Sequence, residues 1–408
     1  MQETLDKATT ELQSKKLQLH WLLQITKAIN YNLPAEQLYQ IYQNVIKEHL
    51  HAGKLSLFVN ENGWKQVLSY GMKEELDKLQ PERFLNEISS SKTKAITAPV
   101  WLEKDEAVIP VYHNEQLLAY CIVGAIEGSN EISKREIVPF IHTITNIIVV
   151  AIENKRLSKE AVAQAAFKKE LELAAEMQEM LFPVGLTGNV YFEIDSVYLP
   201  HQQVGGDYYD FISLSEHEHI FCMADVSGKG IPAALLMSNF QANLHALVKH
   251  KLSLTNLVHE LNACVNKTAK GEKYITFFIG VINFKDRTLQ YVNAGHNPPL
   301  LHDGAEVRAL TVGTTGLGMF DELPFITEGT EKFNQHASIL CYTDGVTELE
   351  NDNGDFFGMD QLTSFIASNL KGNPLNAFHN NLISHLNIFR QSMAYNDDVA
   401  ILTLRCLQ

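Results

Sequence analysis

The sequence predicts an α+β protein of two folded parts joined by a helix, and three observations carry this. Apolar residues recur at alternating three- and four-residue steps near the start and again around residue 160, the rhythm of a helix packing along a narrow seam. Residues 33 to 135 mix one helical run with alternating, strand-like runs. After Gly185 the chain becomes short apolar strands separated by acidic, glycine-containing turns, with two or three helices between them. The expected divisions are a helix over 1–30, a first domain over 31–150, a linking helix over 151–182 and a second domain over 183–408.

In the first helix the seam is Leu5, Ala8, Leu12, Lys15, Leu19, Leu22, Thr26 and Ile29. It fits either a helix packed on its own domain or a coiled-coil dimer. "LYQIYQNVIKEHL" continues as helix, and "KLSLFVNENGWKQVLSYG" reads as a hairpin turning at Asn60 to Gly63. "VIPVYHNEQLLAYCIVGAI" reads as a second hairpin turning at His113 to Glu115. From Ile147 to Phe182 there is neither glycine nor proline, and Leu157, Glu160, Gln164, Phe167, Leu171, Ala174, Gln178 and Leu181 form a second seam with several polar members. Pro183 stops it. Such a helix serves as a rigid spacer or as a dimer seam able to change register.

Composition narrows the function classes. Thirty-three Lys and Arg against 48 Asp and Glu give a net charge of −15, and no basic block is present, so nucleic acid and anionic membranes are not expected partners. The five cysteines are scattered and never spaced as C-x-x-C, and four of them sit in apolar surroundings, which points to core residues in a reducing compartment. The start shows no signal pattern, and the most apolar stretch, "IVPFIHTITNIIVVAI", is interrupted by His142, Thr143, Thr145 and Asn146, reading as too short and too polar to span a bilayer. A cytoplasmic protein is expected.

Chemistry concentrates in the second part, where apolar strands deliver aspartates into turns: "VGGDYYDF" (Asp207, Asp210), "IFCMADVSGKG" (Asp225), "ILCYTDGVTE" (Asp344) and "NDDVAILTL" (Asp397, Asp398). An aspartate beside a glycine is also an ordinary turn former. Several carboxylates converging from different strand ends, however, build a site for hard divalent cations, which also relieve the repulsion among the acids. "SGKG" is not a phosphate-binding P-loop, because Gly230 stands where Ser or Thr is needed and no glycine lies five residues before Gly228. The glycines instead allow a sharp turn, and Pro232 suits the first turn of a following helix. Lys229 is a solvated lysine or a phosphate contact.

The motifs "VGGDYYDF", "MADVSGKGIPAALLMS", "YVNAGHNPPLL", "LCYTDGVTE" and "NDDVAIL", in this order and with the lead-in "ELAAEMQEMLFP", resemble the SpoIIE/RsbU-type bacterial branch of the PPM, or protein phosphatase 2C, family over residues 170 to 405. The resemblance implies an α-β-β-α sandwich holding two Mn²⁺ or Mg²⁺ ions and hydrolysing phosphoserine or phosphothreonine on a partner protein. Asp207, Asp225, Asp344 and Asp397 would be ligands by this resemblance, with the Val226 carbonyl nearby and Asp210 and Asp398 as supporting acids. Lys229 would approach substrate phosphate. Eukaryotic members carry D-G-H-G where this chain has "DVSG", so Ser227 replaces a histidine, and His296 in "NAGHNPP" becomes the alternative proton donor. A Gly-Asp expected just before the "YTDG" strand is missing.

Residues 31–150 resemble a GAF domain in layout, with a PAS-like domain as the alternative. In systems of this type the substrate is a small STAS-fold anti-sigma-factor antagonist, and the front half would act as a sensor, dimeric through its helices and open to a small-molecule ligand. A catalytically silent dimeric sensor is the competing reading; a regulatory nucleotide-binding protein is disfavoured by the failed P-loop.

Overall fold

Antiparallel pairing of alternating strands organises both halves of the chain. The computed structural model describes residues 2–61, 63–71, 100–103, 106–113, 116–126, 134–304 and 306–407. It divides into two units, Met1–Ala165 and Ala166–Gln408.

The first unit opens with helices α1 (Gln2–Asn30) and α2 (Ala35–Asn44). The strands β1 (Ala52–Asn60), β2 (Trp64–Tyr70), β3 (Val100–Glu103), β4 (Glu106–His113) and β5 (Gln116–Ile126) form one antiparallel sheet in the order β2-β1-β5-β4-β3. Both expected hairpins are present. In the first, the Asn60 carboxamide closes the turn by accepting the Gly63 N–H at 3.1 Å. The second has its residues 114–115 outside the described residues.

Helix α3 (Lys134–Glu179) begins in this unit, and its apolar residues Ile137, Val138, Ile141, Ile144 and Ile148 join the core formed by the sheet and α2. That packing explains the apolar run. The helix is continuous over 46 residues, so by length and composition alone Ile137–Glu179 is long and apolar enough to cross a bilayer, which corrects the expectation that the stretch is too short. At the core's centre the Tyr42 hydroxyl lies 2.6 Å from Thr145 Oγ1 and 3.3 Å from Cys121 Sγ, linking α2, α3 and β5.

The second unit is four layers deep. One sheet has β13 (Gly313–Thr314), β10 (Thr288–Ala294), β9 (Ile275–Asn283), β8 (Glu218–Val226) and β7 (Tyr208–Ser213) in that order, with β14 (Gly329–Lys332) also paired to β10. The other runs β12 (Val307–Ala309), β11 (Leu300–His302), β15 (Ser338–Tyr342), β16 (Val399–Cys406), β6 (Phe192–Leu199).

Strand alternation sorts the layers. Ile339, Cys341, Ala400, Leu402 and Leu404 face the first sheet within a core that also takes in α4 (Ile231–Val248) and α5 (Leu254–Ala269). Their neighbours Leu340, Tyr342, Val399 and Ile401 face the other way, into a core built with the short α6 (Asp344–Thr347), α7 (Gly358–Asn369) and α8 (Leu375–Arg390). This is the α-β-β-α sandwich. The helix over α8 is keyed by His379, whose ring nitrogens pair with Asp195 at 2.8 Å and Thr403 at 2.8 Å. Cys222, Cys341 and Cys406 are buried in this unit and Cys121 in the first, with no disulfide among them, while Cys264 is half-buried.

Candidate metal centre

Antiparallel pairing places the acids two by two. In the first sheet Tyr208 pairs with Ala224, so Asp207, entering β7, comes beside Asp225 at the end of β8. In the second sheet Tyr342 pairs with Ile401, so Asp344, just after β15, comes beside Asp397 and Asp398, just before β16. The two sheets stack, and both pairs sit at the same end.

Electrostatics records the result. Burial holds the Asp207 carboxyl well above its ordinary value, with the charges of Asp225, Asp398 and Asp344 adding to it and a hydrogen bond from Thr343 opposing. Asp225 is pushed up to about 7, first by burial and then by Asp344, Asp397 and Asp398. Asp344 is pushed up to about 6 by burial, Asp397 and Glu348. Asp207 Oδ2 is buried without a hydrogen-bond partner. Oxygen-only donors, mutual repulsion and an orphaned carboxylate oxygen are the chemistry of a site for hard cations. Among the described residues no three acidic, histidine or cysteine side chains already stand as a closed metal cage. Lys229 answers part of the charge, its Nζ 2.8 Å from Asp397 Oδ2 and 2.7 Å from the Asn396 carbonyl. The pairing with Asp397 raises the Lys229 pKa above its ordinary value.

Asp398 does a different job from its neighbour. Its Oδ1 accepts the His201 N–H at 2.7 Å and its Oδ2 the Gly206 N–H at 3.0 Å, and the Asp207 N–H also donates to it. It thereby shapes the loop that carries Asp207. Gly206 comes so near the Val226 carbonyl that an added Cβ would stand 3.0 Å from it. Gly228 and Gly230 have φ of 85° and 72°, and Gly230 turns the chain into α4, with Pro232 in the first turn as expected. A narrow cleft lined by His201, Gln202, Asp225, Lys229, Asp397 and Asp398 opens over these loops.

Two residues stand elsewhere than expected. Asp210 is three positions from Asp207, an odd step that in a strand reverses the face. Its carboxylate turns toward α4, where Oδ2 meets the Tyr208 hydroxyl and His245 Nε2, each at 2.5 Å. His296 is buried behind the site, with Nδ1 2.9 Å from Thr276 Oγ1 and Nε2 without a partner. Burial pushes its pKa down to about 4, so the ring is neutral near pH 7 and carries no imidazolium proton to donate. Ser227 is also committed: its Oγ accepts the Tyr274 N–H at 2.9 Å, and its carbonyl accepts from Lys273 Nζ at 2.7 Å.

Sequence reasoning passed over Thr343, fully buried between Asp207 and β16, where its hydroxyl accepts the Ala400 N–H at 2.9 Å. Its position just before Asp344 was the available signal. Gln178 was read only as part of a helical seam; its side chain instead reaches Gly205 within the second unit. A further cleft of this unit lies at the opposite ends of β6 and β16, and its Arg405 is already engaged by Ser338, Glu193, Asn373 and Leu370.

With this geometry in view, residues 215–407 match the sequence model of the family described as stage II sporulation protein E (SpoIIE). The second unit is a SpoIIE-family PP2C domain. The SpoIIE-family domain accounts for the similarity to phosphoserine phosphatase RsbU of Bacillus subtilis, 28% identical over 248 residues, covering 59% of this chain and 71% of RsbU. Phosphoserine phosphatase RsbP of the same organism is 28% identical over 186 residues, covering 44% of this chain and 46% of RsbP. Among solved structures, the SiaA-PP2C domain of Pseudomonas aeruginosa matches with a TM-score of 0.54 at 18% identity, over 60% of this chain and 99% of that domain. The fold is therefore that of PP2C domains, a family that employs divalent metal ions.

Proposed function

We propose that this protein is a metal-dependent phosphoprotein phosphatase that removes phosphate from serine or threonine of a signalling partner. The observation that supports it most directly is the meeting of Asp207, Asp225, Asp344 and the Asp397–Asp398 pair between facing sheet ends of a SpoIIE-family domain. The name phosphoserine phosphatase, borne by two relatives, agrees with it.

Asp207, Asp225, Asp344 and Asp397 would hold two Mn²⁺ or Mg²⁺ ions, with the Val226 carbonyl beside them. The chemistry such ions supply when bound is Lewis acidity toward a phosphate oxygen and a lowered pKa of water. Asp398 keeps the Asp207 loop in shape. Lys229 sits at the rim, and once Asp397 turns to a cation its ammonium is free to meet substrate phosphate.

The first unit is assigned the part of a GAF-like sensor for a small ligand. Leu157, Val162, Phe167 and Leu173 of α3 are exposed, which supports a homodimer through this helix. A STAS-type antagonist is the assigned substrate and the cytoplasm the assigned compartment, both by likeness to the family.

Hydrolysis of p-nitrophenyl phosphate by the full chain with Mn²⁺ tests the reading. Asp225→Asn is expected to lower the rate about 100-fold or more. Wild-type activity in that variant removes the ligand assignment, and a full chain inert with every divalent cation establishes the silent sensor instead.

A further inference from the structure

We propose that Gln178 is a positioning residue for this centre: its carboxamide clamps both backbone groups of Gly205 and so fixes the loop that presents Asp207 and is bound by Asp398. The inference rests on the cation-site reading above. Between Ala151 and Met180, Gln178 is the one buried side chain, 7% exposed, while its helix neighbours Met177 and Met180 are 71% and 76% exposed. Plain packing would place an apolar residue there. A buried carboxamide is costly unless both its ends are satisfied, and here they are. Gln178 Nε2 donates to the Gly205 carbonyl at 2.8 Å, and the Gly205 N–H donates to Gln178 Oε1 at 3.1 Å.

The clamped residue is wedged. A Cβ on Gly205 would stand 2.1 Å from the Tyr198 hydroxyl and 2.2 Å from Asp398 Oδ2, so the peptide lies directly against the Asp398 carboxylate. The next two N–H groups, those of Gly206 and Asp207, bind the same carboxylate. The segment 201–207 is thus gripped from one side by Gln178 and from the other by Asp398. Two successive glycines leave this backbone with unusual freedom, which the clamp removes. Fixing a ligand's backbone in advance raises cation affinity, because less order is lost on binding; groups that orient ligands in this way are commonly worth about 10- to 100-fold in affinity.

The test is calorimetric titration of Mn²⁺ into the metal-stripped full chain, with Gln178→Leu and Gln178→Met compared with wild type, alongside thermal unfolding without metal. Both variants are expected to bind Mn²⁺ about tenfold more weakly or worse, and, because two buried groups of Gly205 lose their partner, to unfold a few degrees below wild type without metal. In p-nitrophenyl phosphate hydrolysis, the Mn²⁺ concentration for half-maximal rate should rise by more than the maximal rate falls. Unchanged Mn²⁺ affinity in both variants overturns the proposal. An equal loss of Mn²⁺ affinity in His379→Leu, which removes a buried tie elsewhere in the same unit, overturns it too, since weaker binding would then follow from lost stability alone. If wild type binds no Mn²⁺ and Asp225→Asn changes nothing, the cation-site reading itself has failed and this inference falls with it.

Discussion

Asp225 shows how a single residue can work against the fold that contains it. Its carboxyl is pushed up to about 7 by burial and by three neighbouring acids, so near neutral pH without metal the folded state bears a charge it disfavours. Asp225→Asn should therefore raise the metal-free unfolding midpoint by a few degrees while abolishing Mn²⁺-dependent hydrolysis. A lowered midpoint in calorimetry would contradict this.

His296 makes the opposite prediction for acid. Its folded pKa of about 4 lies below the unfolded value, so its contribution is intact above about pH 6.5 and is lost as pH falls through 4. The loss amounts to about 3 kcal/mol. His296→Gln should flatten urea-unfolding stability over that window; an unchanged pH slope would count against it. The acids were legible because each stands at one end of an apolar run, Asp225 and Asp344 where a strand leaves and Asp207 and Asp397 where one enters. The turning away of Asp210 was hidden only until its odd spacing was applied. Thr343 was marked only by its place before Asp344 and Gln178 not at all, since what each one does depends on a partner tens of residues away.

Among the elements, the hairpins could be read directly, because a period of two and a Gly- or Asn-bearing turn are local signals. The stacking of the two sheets was supplied by family resemblance, since no local pattern says which faces meet. Helix α8 illustrates such a non-local tie. His379 is buried and bridges Asp195 on β6 and Thr403 on β16. His379→Leu leaves the fully buried Thr403 hydroxyl without this partner and should cost about 1–3 kcal/mol in urea unfolding, with Mn²⁺ affinity unchanged. A loss of cation affinity instead would place His379 in the site's own support.

Across the whole molecule, the sequence marked a helix between two folded parts but not where its role changes. Leu157 and Phe167 remain exposed as a seam would require, whereas Gln178, from the same repeat, turns into the second unit. The heptad-like rhythm could not separate the two uses, because both need one helix face. Leu157→Glu with Phe167→Glu should shift the full chain from dimer to monomer in sedimentation at micromolar concentration. Identical masses would dismiss the helix as the dimer seam.

The pairing of acids across two stacked sheets has a mechanical side. Asp207 and Asp225 belong to one layer, Asp344 and Asp397 to the other, so a cation held among them as proposed would also be a clasp fastening the layers at one rim. Chelation should unfasten that rim while the hydrophobic interior stays shut, and a protease of broad specificity such as proteinase K should then nick first within residues 201–206, a stretch without lysine or arginine. Equal cleavage with and without EDTA would mean that the layers hold each other there unaided.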